Sequence, residues 1–153
     1  MDKIKRLQKA MPDTMEAAIF RDPSNRFYLT GMRSSAGTVV VTKKHAWLII
    51  DFRYFEDAEK KVKNCIVIEE TALYAQIKEL LLADGVKTLS VHSGLTSLEE
   101  HTALTEALYP VQIDTSLKLH KLIETLRMEE DEEEIACHRK AQQMSSMTYE
   151  YRI

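Results

Sequence analysis

Glycine, proline and cysteine are all scarce: four, three and two residues respectively in a chain of 153. Each scarcity excludes something. Cys65 and Cys137 stand far apart and form no Cys-x-x-Cys pair, so the chain is not a disulfide-stapled secreted scaffold. A reducing, cytoplasmic setting is the expectation. With so little glycine, neither G-x-G-x-x-G nor G-x-x-x-x-G-K-[ST] occurs, which argues against a phosphate loop. The longest apolar runs, such as 46–50 and 80–83, are far too short to span a bilayer. The first residues are charged and amphipathic, without the apolar stretch of a signal peptide. There is no basic excess either, because the formal net charge is -3. The cluster Lys3, Lys5, Arg6 and Lys9 is local and reads as a solvated helix face. Neither nucleic acid nor membrane is expected as a partner.

Catalytic signatures are missing as well. The five histidines make no His-Glu-x-x-His motif and no i, i+4 pair, so each reads as a surface or internally satisfied residue. No G-x-S-x-G elbow positions a serine nucleophile. Cys65 falls in an apolar run and Cys137 in a helical one, where a structural thiol is the ordinary state. The acidic run 129–134 lacks the spaced oxygens and the turn glycine of a calcium loop, and suits the first turn of a helix.

What is present is a normal globular balance, 44% hydrophobic and 29% charged, in a length ordinary for one domain. Ile4, Leu7 and Met11 share one helical face, and Pro12-Asp13 stops that helix. Residues 15–20 form a strand-length run. Asp22-Pro23-Ser24-Asn25 is a turn, followed by one tight helical turn over 25–29. Val39, Val40 and Val41 lie in a β-branched run without alternation, which implies a strand covered on both faces. A short polar link joins it to 46–50, and the two read as an antiparallel hairpin.

Beyond the hairpin, helices and strands alternate. Asp51 caps a helix through Lys61 with Tyr54, Phe55 and Ala58 inward, and 65–68 is a strand. Thr71 caps a helix that ends at Asp84-Gly85, and 88–91 is a strand. Ser97 with Glu100 opens another helix, Pro110 ends it, and 111–113 is the last strand. Helices over 116–123 and from Met128 to about Met147 complete the order. This pattern predicts an α/β fold, a mixed sheet of five to six strands flanked by helices.

Two segments stand out as sites. The loop from Gly31 to Gly37 holds two of the four glycines between apolar runs and carries Arg33, a guanidinium suited to a carboxylate. Asp51-Phe52-Arg53-Tyr54 follows directly on a buried strand, at a sheet edge where ligands commonly bind.

Three motifs in sequence carry a family resemblance. They are Asn25-Arg26-Phe27-Tyr28-Leu29-Thr30-Gly31, then Asp51-Phe52-Arg53-Tyr54, then Leu126-Arg127 with Glu133-Glu134-Ile135 and Arg139-Lys140-Ala141. Their order and spacing resemble the N-terminal domain of the creatinase/prolidase/aminopeptidase P family of pita-bread metallopeptidases, most of all the bacterial Xaa-Pro aminopeptidases and dipeptidases. That resemblance implies a non-catalytic domain over 1–127, with 128–153 as a connector helix toward a C-terminal catalytic domain outside this chain. In the family that further domain holds two divalent metal ions (Mn, Co or Zn) that activate a bridging water against the bond before proline. It also implies a homodimer, a proline-containing peptide as substrate, and a role in closing the active site of a neighbouring subunit. Carried over position by position, Met32, Arg33, Ser34, Ser35 and Arg53 are the substrate-binding candidates, with Met32 standing where an aromatic is common. No catalytic or metal-ligating residue is expected within this chain, which should be inactive alone. Two other readings stay open: a stand-alone binding or scaffold module, and the N-terminal domain of a creatinase-like amidinohydrolase.

Overall fold

A computed structural model describes residues 2–129. The chain divides into two units, Met1–Leu122 and Ile123–Ile153, of which the second is described only over 123–129. The first contains all six strands of one sheet, in the order β4-β3-β2-β1-β5-β6. The strands are β1 (Ala17–Phe20), β2 (Thr38–Thr42), β3 (Ala46–Ile50), β4 (Ile66–Glu69), β5 (Thr88–Val91) and β6 (Gln112–Asp114). The helices are α1 (Lys3–Ala10), α2 (Pro23–Thr30), α3 (Phe52–Lys61), α4 (Leu73–Ala83) and α5 (Leu98–Leu108). Residues 118–122 are also helical. In the second unit the described residues, 123–129, are helical, so the two separate helices expected around Glu124–Arg127 are not divided there. The rest of the expected connector helix lies outside the described residues.

The strands β1, β2 and β3 are buried along their whole length, which is why their sequences are continuous apolar runs rather than alternating ones. One face packs Ile19, Val40, Trp47 and Leu89 against Ile77 and Leu81 of α4 and Leu104 and Leu108 of α5. Ile4 and Leu7 of α1, Leu29 of α2 and Ala58 of α3 are buried outside that cluster. The helix α1 packs against β2 and α2. The edge strands β4 and β6 are only partly buried, as their polar residues require.

Two local expectations are corrected. The single turn over 25–29 is a complete helix, α2: Asp22 caps it by accepting from the Asn25 N–H at 2.9 Å, Pro23 opens it, and Gly31 ends it with φ +76°. Thr71 does not cap α4. The N-cap is Ala72, and the Gln76 side chain instead binds back to the Thr71 N–H and the Glu69 carbonyl.

Topology decides where function can sit. The strand β2 is antiparallel to both β1 and β3, whereas β1–β5, β3–β4 and β5–β6 are parallel pairs. Every strand except β2 therefore ends at the same edge of the sheet, and β2 begins there.

Candidate functional site

That shared edge collects the two segments singled out in the sequence. Thr38 pairs with Ile49, so the loop entering β2 lies beside the Asp51 segment leaving β3. The link is direct: the Ser35 and Tyr54 hydroxyls are 2.7 Å apart. Contact with Ser35, side chain first and backbone second, pulls the Tyr54 phenol below its ordinary value.

Asp51 caps α3 by accepting from the Arg53 N–H at 3.0 Å, and its carboxylate also holds the Arg53 guanidinium, Nη2 to Oδ2 at 2.8 Å. Hydrogen bonding by that guanidinium holds the Asp51 carboxyl below the usual carboxylate range. Arg53 itself is exposed, its pair with Asp51 is open to solvent, and its guanidinium lies 5.5 Å from the Tyr54 ring centre.

Along the loop the inward and outward positions alternate. Met32 is buried, 6% exposed, and its N–H donates to the Thr30 hydroxyl at 3.2 Å. Ser34 is half-buried and its carbonyl accepts from Arg26 Nη2 at 2.7 Å. Arg33 and Ser35 are exposed. The Arg33 guanidinium sits over the Phe27 ring at 4.1 Å, a cation–π contact that orients it while leaving its edge N–H groups to solvent. Of the five sequence candidates, Ser35 and Arg53 thus converge around Tyr54, Arg33 rests on α2, and Met32 and Ser34 are the points by which the loop is held down.

The same edge holds a second cluster that the sequence did not reveal. Where β1 and β5 end side by side, Asp22 Oδ1 accepts from Asn25 Nδ2 at 3.0 Å, and the same nitrogen lies 3.0 Å from His92 Nδ1. His92 Nε2 then lies 2.6 Å from His120 Nδ1. Asn25 and His92 are buried, 1% and 8% exposed. Beside them Arg21 and Glu100 form an ion pair at 2.7 Å. Arg21, Asp22, His92, Thr96 and Glu100 border a cavity of about 20 Å³, room for one water molecule. The sequence marks the Asp22–Asn25 turn and sets two histidines beside strand or helix ends, signals too weak to bring these residues together in advance.

Among the described residues no three His, Cys, Asp or Glu side chains converge as a set able to hold a metal ion. Among the same residues no helix is long and apolar enough to cross a membrane.

Residues 3–129 match the Creatinase/Prolidase N-terminal domain family, and the chain belongs to that family. A protein of Mycoplasma pneumoniae provisionally named as an Xaa-Pro aminopeptidase is 39% identical over 79 residues, 51% of this chain and 22% of the relative. An Xaa-Pro dipeptidase from Bacillus anthracis has the same fold, with TM-score 0.73 and 25% identity over 83% of this chain and 35% of that one. The N-terminal domain of the cytoplasmic peptidase PepQ from Mycobacterium tuberculosis H37Rv is similar at TM-score 0.65 and 25% identity, covering 79% of this chain and 95% of that domain. The matched stretches thus span about a fifth of the curated relatives, and 95% of the separately solved PepQ domain. The expected mixed α/β sheet is the observed one, with six strands.

Proposed function

We propose that this chain serves as the non-catalytic N-terminal domain of a cytoplasmic Xaa-Pro metallopeptidase, joined through residues 128–153 to a catalytic domain. The family match over residues 3–129 carries this reading. The two divalent metal ions, Mn, Co or Zn, are assigned in this reading to that further domain, as membership of the family implies. The role of this domain is to support a homodimer and to close the site over a proline-containing peptide. In this reading Arg33, Ser35 and Arg53 meet substrate and Met32 and Ser34 seat the loop; the exposure of the first three and the Ser35–Tyr54 contact support it. Arg33 offers N–H donors to a peptide carbonyl or carboxylate, and the hydroxyls of Ser35 and Tyr54 add further hydrogen-bonding groups.

The test is hydrolysis. Incubated with Mn²⁺ or Co²⁺ and an Xaa-Pro peptide, the purified chain releases no N-terminal residue. Fused to the segment encoded downstream, it should do so. Metal-dependent cleavage by the 153-residue chain alone overturns the reading.

A further inference from the structure

Arg26 is the one charged residue of α2, yet it is only 3% exposed. Burial pulls its guanidinium below the usual value, with the Asp22 charge acting the other way. Burying a cation is costly unless hydrogen bonds offset much of its lost hydration. Here both terminal nitrogens meet main-chain carbonyls. Nη1 donates to the Arg21 carbonyl, where β1 ends, and Nη2 to the Ser34 carbonyl in the middle of the loop. Nε is buried without a hydrogen-bond partner, against Gly37: a Cβ there would stand 3.4 Å from Nε and 3.5 Å from Cδ. Gly37 has φ +150°, which few side-chain-bearing residues adopt, so the loop closes flat over the arginine stem.

From this arrangement we propose that Arg26 is a positioning residue for the Gly31–Gly37 loop, tying Ser34 to the end of β1 so that Arg33 and Ser35 face outward. The functional half of the proposal rests on the reading above, that this loop meets substrate. The geometry is independent of that reading. Two carbonyls on different segments are bridged by one planar fork, which a lysine ammonium on a flexible stem does not reproduce. At the centre of the loop the other ties are side-chain contacts, Ser35 to Tyr54 at 2.7 Å and Arg33 over the Phe27 ring, whereas Arg26 takes hold of the main chain at Ser34. The Gly31 N–H to the Phe27 carbonyl, at 2.8 Å, and the Met32 N–H to Thr30 act at its start, and Gly37 lies at its end.

The experiment has a physical and a functional arm, and uses R26M, which keeps the stem and loses the donors. Trypsin cuts after Arg33 only when the loop lifts from the body. R26M should therefore raise the rate of cleavage at the 33–34 bond about tenfold or more, the change expected on losing one charge-assisted hydrogen bond. In the intact peptidase carrying this domain, KM for an Xaa-Pro peptide should rise about tenfold while kcat stays within about twofold. R26K, with charge but no fork, should show the same increase in cleavage, and it is the variant read if R26M loses cooperative unfolding. Wild-type cleavage rates in R26M or R26K overturn the proposal. R33A removes an outward group without touching the tie. If R33A raises KM and R26M does not, the positioning role falls and the functional reading stands. If neither changes KM, the reading of the loop as substrate-facing falls and takes the positioning role with it.

Discussion

His92 and His120, 28 residues apart in sequence, face each other with Nε2 and Nδ1 separated by 2.6 Å. Their protons can be assigned from the partners. The Asp22 carboxylate only accepts, so the Asn25 amide must turn its nitrogen toward it, and that same nitrogen points at His92 Nδ1. His92 Nδ1 is therefore the acceptor, its Nε2 carries the hydrogen, and His120 Nδ1 receives it. Gly94 makes room, because a Cβ there would stand 3.4 Å from His120 Nδ1. His120→Ala removes the acceptor that lies 2.6 Å from His92 Nε2, and the loss of stability should be about 1–3 kcal/mol in urea unfolding. Long-range nitrogen–proton NMR correlations should show His92 as the Nε2–H form. An Nδ1–H form would refute the assignment.

Much of the fold was open to reading because its cause is local. The runs at Val39–Val41 and 46–50 are apolar without a break because both faces of those strands are covered, and Asp51 and Ser97 cap the helices they precede. The helix α2 was harder. Asp22-Pro23 and Gly31 mark its two ends, but nothing in the local pattern shows that its one charged residue, Arg26, is buried against carbonyls from other segments. The loop and the Asp51 segment could each be picked out as motifs. That they meet through Ser35 and Tyr54 follows from the β2–β3 pairing, and the histidine pair follows from β1 lying beside β5. Both are contacts between distant residues, for which periodicity and spacing hold no signal.

Asp84 joins the far end of the sheet. It follows α4 and accepts from the Thr42 hydroxyl at 2.7 Å and from His45 Nδ1 at 2.9 Å, fastening the β2–β3 turn to the α4–β5 connection. Burial pushes its carboxyl up. The hydrogen bonds from His45 and Thr42, with the charges of His45 and Lys44, outweigh burial and hold it below its ordinary value. A carboxyl lowered in the folded state contributes stability above its unfolded pKa and loses it as pH falls through the folded one. Asp84→Asn should therefore cost about 1 kcal/mol near neutral pH, discounted for the exposed His45 partner. The deficit should shrink as the pH drops below about 4. A deficit that is constant down to pH about 2.5 would show that the carboxylate charge is not what the contact uses.

Cys65 precedes β4 and is half-buried at residue level, and burial, followed by the Asp2 charge, pushes its thiol up to about 12. The thiolate is the reactive form, so iodoacetamide at pH about 8 should label Cys65 far more slowly in the folded chain than in denaturant. Mass mapping of the Cys65 peptide in a Cys137→Ser background isolates the signal. The sign for stability follows: a thiol raised in the fold stays protonated while the unfolded chain ionises. Stability is thus lost as pH rises from the free-thiol range of about 8.5 toward about 12. Equal labelling rates in the folded and unfolded chain would contradict the burial of this sulfur.

Gly31 ends α2 in the left-handed conformation, φ +76°, with its N–H bonded to the Phe27 carbonyl at 2.8 Å. No heavy atom lies within 4 Å of where its Cβ would be. A substitution there meets no steric clash and tests the backbone alone. Gly31→Ala should cost about 1 kcal/mol from the strain of a side-chain-bearing residue at positive φ. Gly31→Asn should cost less, because asparagine tolerates that region. The loop that begins at Gly31 takes its direction from this cap, so Gly31→Ala should also raise tryptic cleavage after Arg33, whereas Gly85→Ala, at φ +71° on another connection, should leave that cleavage unchanged. If both alanine variants expose Arg33 equally, the effect is global loosening and the cap does not aim the loop.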